Sequence, residues 1–173
     1  MKIAEAAALI EDGLQSKIPN ATWADLGCGS GTFTKALSLL LGDGSKIYAV
    51  DKESYRIQSP EASTTEIEFV KMDFMSDELP FSNLDGILMA NSLHYVKAKT
   101  QFIEHVKKLL KPDGKMIIVE YDTEKQNPWI PYPIRYERLI EAFSVCGFRH
   151  IKKIGERNSV YRSEKMYASV IQL

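Results

Sequence analysis

Ala24-Asp25-Leu26-Gly27-Cys28-Gly29-Ser30-Gly31-Thr32-Phe33-Thr34 decides how this chain is read. The residues up to Leu26 read as the end of a buried strand, the glycines at 27, 29 and 31 as a turn, and Thr32 onward as the start of a helix. Glycine has no side chain in the way, so such a turn brings backbone close to a bound ligand at the start of a helix. Asp25 stands two positions before the first glycine, and Asp51 ends the next apolar run. Two carboxylates beside a strand–turn–helix point to a cofactor that contains a nucleoside.

The spacing narrows which cofactor. A dinucleotide loop wants G-x-G-x-x-G/A, its third glycine allowing close helix–strand packing. Counted from Gly27 that third position is Thr32, and Gly31 comes one residue early, giving D-x-G-x-G-x-G. A phosphate loop of the G-x-x-x-x-G-K-[ST] type is excluded, because no lysine follows in register. The spacing suits a cofactor with a nucleoside but no phosphate.

Outward from this turn, helical periodicity places an amphipathic helix over Ala4 to Gln15 and another over Thr32 to Leu41. Strands are expected at Ala21 to Leu26, Lys46 to Asp51, Ile67 to Val70, Leu84 to Ala90, Lys115 to Tyr121, Phe148 to Ile154 and Met166 to Leu173. The run 52–65, interrupted by Pro60, holds a short helix at most. Lys99 to Leu110 and Ile134 to Cys146 read as helices, and Pro112-Asp113-Gly114 as the turn into the fifth strand. The near-continuous apolarity of Leu84 to Ala90 fits a strand covered on both faces. The link from Gly155 to Lys165 has no helical pattern, so the last two strands pair as an antiparallel hairpin. The expected fold is α/β: a Rossmann-like, doubly wound sheet of seven strands, mostly parallel, closed by an antiparallel C-terminal hairpin. It is expected to be one domain over residues 1–173, with 1–20 an N-terminal helical segment and 122–133 a proline-rich loop.

Composition removes other classes. At 173 residues, 45% hydrophobic and 26% charged, the chain reads as an ordinary globular domain. A net charge of -1 gives no basic field to draw it to nucleic acid. Lys107, Lys108 and Lys111, like Arg149, Lys152 and Lys153, read as solvated faces. Two cysteines, Cys28 and Cys146, make no disulfide framework, and with three scattered histidines they give no metal-ligand spacing. The acidic start (Glu5, Glu11, Asp12) does not suit a signal peptide. No apolar run approaches the ~20 residues of a membrane helix, so a cytoplasmic location is expected.

The glycine turn, the acidic end of the second strand and the C-terminal hairpin together resemble the class I S-adenosylmethionine-dependent methyltransferases of the small-molecule methyltransferase-domain type. The resemblance covers nearly the whole chain, and Leu110-Lys111-Pro112-Asp113-Gly114-Lys115 is similar to the family's common "LLKPGG" turn. It implies that Gly27, Gly29 and Gly31 lie against the methionine part and ribose of S-adenosylmethionine. It further implies that Asp51, with Lys52 after it, accepts from the ribose hydroxyls, and that Asp25 accepts from the cofactor's ammonium. Asp73 would accept from the adenine amino group with Phe74 against the ring, and backbone at Asn91 would face the methionine end. Blander roles stand beside these: a tight packing turn, a helix-capping Asp51, a carboxylate ligand for loop amides at Asp25, and a turn-capping Asp73 next to a core Phe74.

The acceptor half is thinner. Asn91-Ser92-Leu93-His94-Tyr95 is similar to the "N-x-LHH" segment of small-molecule methyltransferases and lacks the "[DNS]-P-P-[YFW]" cradle of amine-directed ones. His94 is of the residue type most used as a general base. Glu120, Tyr121 and Asp122 end the fifth strand, and Trp129, Tyr132 and Arg135 sit in or beside the proline-rich loop. His94, Glu120 and Tyr132 are the catalytic candidates; strand-end packing and a stiff surface loop are the alternatives. The expected activity is in-line methyl transfer to a small-molecule acceptor, without metal, membrane or nucleic acid, by a monomer or homodimer. A non-catalytic S-adenosylmethionine-binding subunit or scaffold and a nicotinamide-dependent oxidoreductase are the rival readings.

Overall fold

A computed structural model describes residues 1–14, 17–158 and 165–173. Its seven strands form one sheet: β1 (Thr22–Leu26), β2 (Lys46–Asp51), β3 (Glu66–Lys71), β4 (Leu84–Ala90), β5 (Leu110–Tyr121), β6 (His150–Asn158) and β7 (Lys165–Gln172). The order is β3-β2-β1-β4-β5-β7-β6. Pairings from β3 through to β5 are parallel, and β7 runs antiparallel to both β5 and β6. The first strand therefore sits near the middle, with β2 and β4 on either side, and this is the switch point where ligands lie beyond the carboxyl ends of the strands.

Helices cover both faces. α1 (Ile3–Ile10) and α2 (Thr32–Leu40) pack on one side, where Leu9, Ile10, Leu37 and Trp23 meet Leu88, Ile117 and Val119. α3 (Lys99–Lys107) and α4 (Tyr136–Val145) cover the other, where Ile103, Val106, Leu139 and Phe143 meet Ile87, Met116 and Ile118. Residues 116 to 119 thus alternate between two cores, as a strand's period of two requires. Burying each such Leu or Ile side chain contributes roughly 1.5–3 kcal/mol relative to leaving it exposed. Among the described residues, no helix is long and apolar enough to cross a membrane.

Several boundaries differ from the sequence reading. The first helix ends at Ile10 and a 3-10 turn carries the chain over Glu11–Gly13. No helix forms over residues 52–65. The Pro112–Gly114 segment belongs to β5, because Leu84 pairs with Leu110 before the register slips to Gly86–Lys115. The Leu84 amide donates to Leu109 O at 2.9 Å, which draws that end of the expected helix into the sheet edge. β6 runs past Gly155 to Asn158 through an irregularity between Lys153 and Gly155. Part of the expected hairpin link, residues 159–164, lies outside the described residues, as do 15 and 16 at the end of the expected first helix.

Candidate functional site

A cavity of about 570 Å³ opens along the carboxyl edge of the sheet, a size that suits one small ligand or two adjoining ones. Asp25, Gly27, Cys28, Gly29, Asp51, Lys52, Asp73, Phe74 and Asn91 line it, so most of the residues implied by the resemblance meet in one place. Gly31, His94, Glu120 and Tyr132 are not among the lining residues.

The glycine loop is built by its own hydrogen bonds. Gly27, Gly29 and Gly31 have φ of 81°, 50° and 82°, the left-handed region that side chains disfavour. The amides of Gly27 and Cys28 donate to Val50 O, that of Gly29 to Asp51 Oδ2 at 2.8 Å, and that of Gly31 to Cys28 O. A phosphate cradle would instead aim such N–H groups at its ligand. What the loop offers is close approach: a Cβ on Gly29 would meet nothing within 4 Å. Gly31 serves packing, since a Cβ there would lie 2.8 Å from Ile57. Gly27→Ala combines the left-handed strain with a Cβ only 2.5 Å from Ser92 Cβ. It is expected to cost at least about 1–3 kcal/mol in chemical denaturation.

Asp25 is 1% exposed, at the end of β1. Its Oδ2 accepts from Thr34 Oγ1 at 2.6 Å, while its Oδ1 has no partner. Burial pushes its pKa up to about 7; the Thr34 bond opposes the shift and the nearby Asp51 charge adds to it. Among the described residues, Asn91 Oδ1 is the other buried side-chain oxygen without a partner, on a residue at φ 56° that also lines the cavity. Buried polar atoms are ordinarily paired, so two orphans on residues that line one cavity mark where a ligand's donors fit.

Asp51 accepts from Gly29 N and, through Oδ1, from Glu53 N at 3.0 Å. It clasps the glycine loop to the end of β2 instead of capping a helix. Asp73 accepts from Met75 N at 3.0 Å, and Phe74 packs edge-on against Phe102. Both blander roles of this pair are thus present, on residues that also line the cavity. Burial and the carboxylates of Asp25 and Asp51 push the Cys28 thiol far up, which removes it as a nucleophile.

His94 and Glu120, 3% and 1% exposed, close on each other. Glu120 Oε2 lies 2.7 Å from His94 Nδ1, and its Oε1 accepts from the His94 amide at 3.0 Å. The Tyr132 amide donates to His94 O, and Lys99 Nζ donates to Val96 O and Tyr132 O. This network ties the proline-rich loop to the chain after β4. Asp122 accepts from the Tyr136 amide at the start of α4. Trp129 is 72% exposed, and Arg135 pairs with Glu137 and Glu124 on the surface.

Sequence reasoning placed Tyr95 and Tyr121 in the acceptor half by their position just after or at the end of a strand, and both line this wall. It missed Met166, Arg157 and Asn158, which left no signal, because only the antiparallel pairing of β6 and β7 brings them to this edge.

A family model described as a methyltransferase domain matches residues 24–118. The ubiquinone/menaquinone biosynthesis C-methyltransferase UbiE of Hahella chejuensis is 25% identical over 141 residues, 78% of this chain and 53% of that one. The chain spans 21–53% of the length of the curated relatives it matches. Among solved structures, a SAM-dependent methyltransferase from Aquifex aeolicus matches with a TM-score of 0.65 at 17% identity, covering 100% of both chains. The 1,6-didemethyltoxoflavin-N1-methyltransferase of Burkholderia thailandensis, solved with bound 1,6-didemethyltoxoflavin and S-adenosylhomocysteine, gives a TM-score of 0.66 at 18% identity over 98% of this chain and 76% of that one. At these identities the structures establish the shared fold.

Proposed function

Because the chain belongs to the methyltransferase-domain family, we propose that it transfers a methyl group from S-adenosylmethionine to a small-molecule acceptor. The observation that carries this reading is the unpartnered Asp25 Oδ1 in the cavity wall. A buried carboxylate with an open lone pair is costly until a cation meets it, and an α-ammonium supplies one. The engaged amides of the glycine loop favour a cofactor without a pyrophosphate, and so speak against a nicotinamide dinucleotide.

When bound, S-adenosylmethionine supplies a methyl group already activated by its sulfonium charge. The protein's share is placement. Asp25 holds the ammonium, Asp51 the ribose hydroxyls, and Asp73 with Phe74 the adenine, while Gly27 and Gly29 let the ligand lie against backbone. Lys52 flanks the ribose end, and Asn91 reaches the methionine end. The walls exclude water and fix the line of approach, and alignment alone can supply roughly 7–11 kcal/mol of the barrier. His94, Glu120 and Tyr132 act by holding the chain after β4 in place, since they do not line the cavity.

Asp51→Ala is the test. It removes the acceptor of Gly29 N and any bond to ribose hydroxyls, and is expected to weaken S-adenosylhomocysteine binding by about 1–3 kcal/mol while the fold stays intact. Unchanged affinity by calorimetry would take Asp51 out of the site and the reading with it.

A further inference from the structure

The cavity has two chemically different halves, and the strand order separates them. The ends of β3, β2 and β1 contribute Asp73, Asp51 and Asp25, the half assigned above to S-adenosylmethionine. Beyond β4 the same wall continues over Tyr95, Tyr121 at the end of β5, Met166 at the start of β7, and Arg157 and Asn158 at the end of β6. β7 is antiparallel to both neighbours, so its first residue and the last residues of β6 fall at the same edge, and Arg157 pairs in register with Met166. The second half is therefore aromatic and thioether surface, with Arg157 as its only charged lining residue among those described from these strands.

We propose that this half binds an acceptor of aromatic-ring size carrying one carboxylate, and that Arg157 anchors the carboxylate. The proposal rests on the methyltransferase reading and names the substrate class for it. Tyrosine and methionine faces favour a flat apolar body. A guanidinium presents a planar fork that matches a carboxylate with two parallel hydrogen bonds. Among the described residues Arg157 makes one longer contact, Nη1 to Glu5 Oε2 at 3.3 Å. Glu5 is partly committed elsewhere, since the same oxygen accepts from the Lys2 amide at 2.8 Å. Glu5 stands in for an anion that Arg157 can hold better. α1, which carries Glu5, thus competes with the acceptor for the same cation.

That competition gives the two partners opposite signatures, which a merely structural ion pair would not. Protein saturated with S-adenosylhomocysteine is titrated calorimetrically with para-hydroxybenzoate and naphthoate, each against its carboxamide. The unaltered protein is expected to prefer the carboxylates by about tenfold. Arg157→Gln abolishes the preference, Arg157→Lys restores part of it, and Glu5→Gln strengthens carboxylate binding by about threefold or more. Each variant's affinity for S-adenosylhomocysteine, read at the other half, reports that the fold is intact. The proposal is overturned if the unaltered protein shows no preference, if Arg157→Gln keeps it, or if Glu5→Gln and Arg157→Gln shift binding in the same direction. Binding of S-adenosylhomocysteine without a carboxylate preference sinks this proposal alone. Failure to bind S-adenosylhomocysteine sinks the methyltransferase reading and this proposal together.

Discussion

Asp25→Asn is expected to stabilise the ligand-free protein at pH 8 and at the same time to cripple its binding of S-adenosylhomocysteine. Burial raises the native pKa of Asp25 from 3.8 to about 7. Between those values the native state keeps a proton that the unfolded chain has released, so this group's contribution to stability falls as pH rises from about 4 to about 7. Above pH 7 the penalty is complete, on the order of 2–4 kcal/mol. An asparagine carries no charge, keeps an oxygen for Thr34 Oγ1, and escapes the penalty. It also loses the charge that meets the cofactor's ammonium, and affinity is expected to drop about 100-fold. In the unaltered protein the same titration makes binding weaken below about pH 7, by up to tenfold per pH unit, and the asparagine variant should be flat over that range. Denaturation at pH 8 together with calorimetry from pH 6 to 8 measures both. A variant that is destabilised at pH 8, or that binds as tightly as the original, contradicts the role given to Oδ1.

Glu120→Ala is expected to cost about 3–5 kcal/mol, a loss of roughly 10 °C in melting temperature for a chain of this size. It strands His94 Nδ1 and the His94 amide, both paired to Glu120 in a pocket where neither side chain is more than 3% exposed. The damage should spread along the tether from His94 O to Tyr132 and appear as faster proteolysis of the proline-rich loop. Affinity for S-adenosylhomocysteine at a temperature where the variant is folded should change little, because the pair does not line the cavity. A stability loss under about 1 kcal/mol, the size of an ordinary surface pair, would show that the pair does not hold this corner together.

The half of the cavity proposed for the donor was legible in the sequence because its requirements are local. Left-handed glycines, an aspartate at a strand end and a buried strand each leave a mark within a few residues, and Asp25, Gly27, Gly29 and Asp51 followed from that. Gly31 followed the same rule but serves packing against Ile57, since spacing cannot say which side of the loop a glycine relieves. Of the half proposed for the acceptor, Tyr95 and Tyr121 were legible from their place at strand ends, whereas Met166, Arg157 and Asn158 were not, because pairing across the sheet brings them there. Gly155 reads as the end of a strand. In the structure it marks an irregularity where a Cβ would lie 2.6 Å from Leu9 O, so the backbone passes close to α1 and the strand runs on to Arg157. His94 was a candidate base by residue type and position. Its burial against Glu120 depends on a partner 26 positions away.

A crystal structure of the protein with S-adenosylhomocysteine bound tests the central claim most directly. The predicted result places the ligand's amino group within hydrogen-bond distance of Asp25 Oδ1 and its ribose hydroxyls on Asp51, with the sulfur facing the wall of Tyr95, Tyr121 and Met166. A ligand seated elsewhere, or one that leaves Asp25 Oδ1 without a partner, would contradict it.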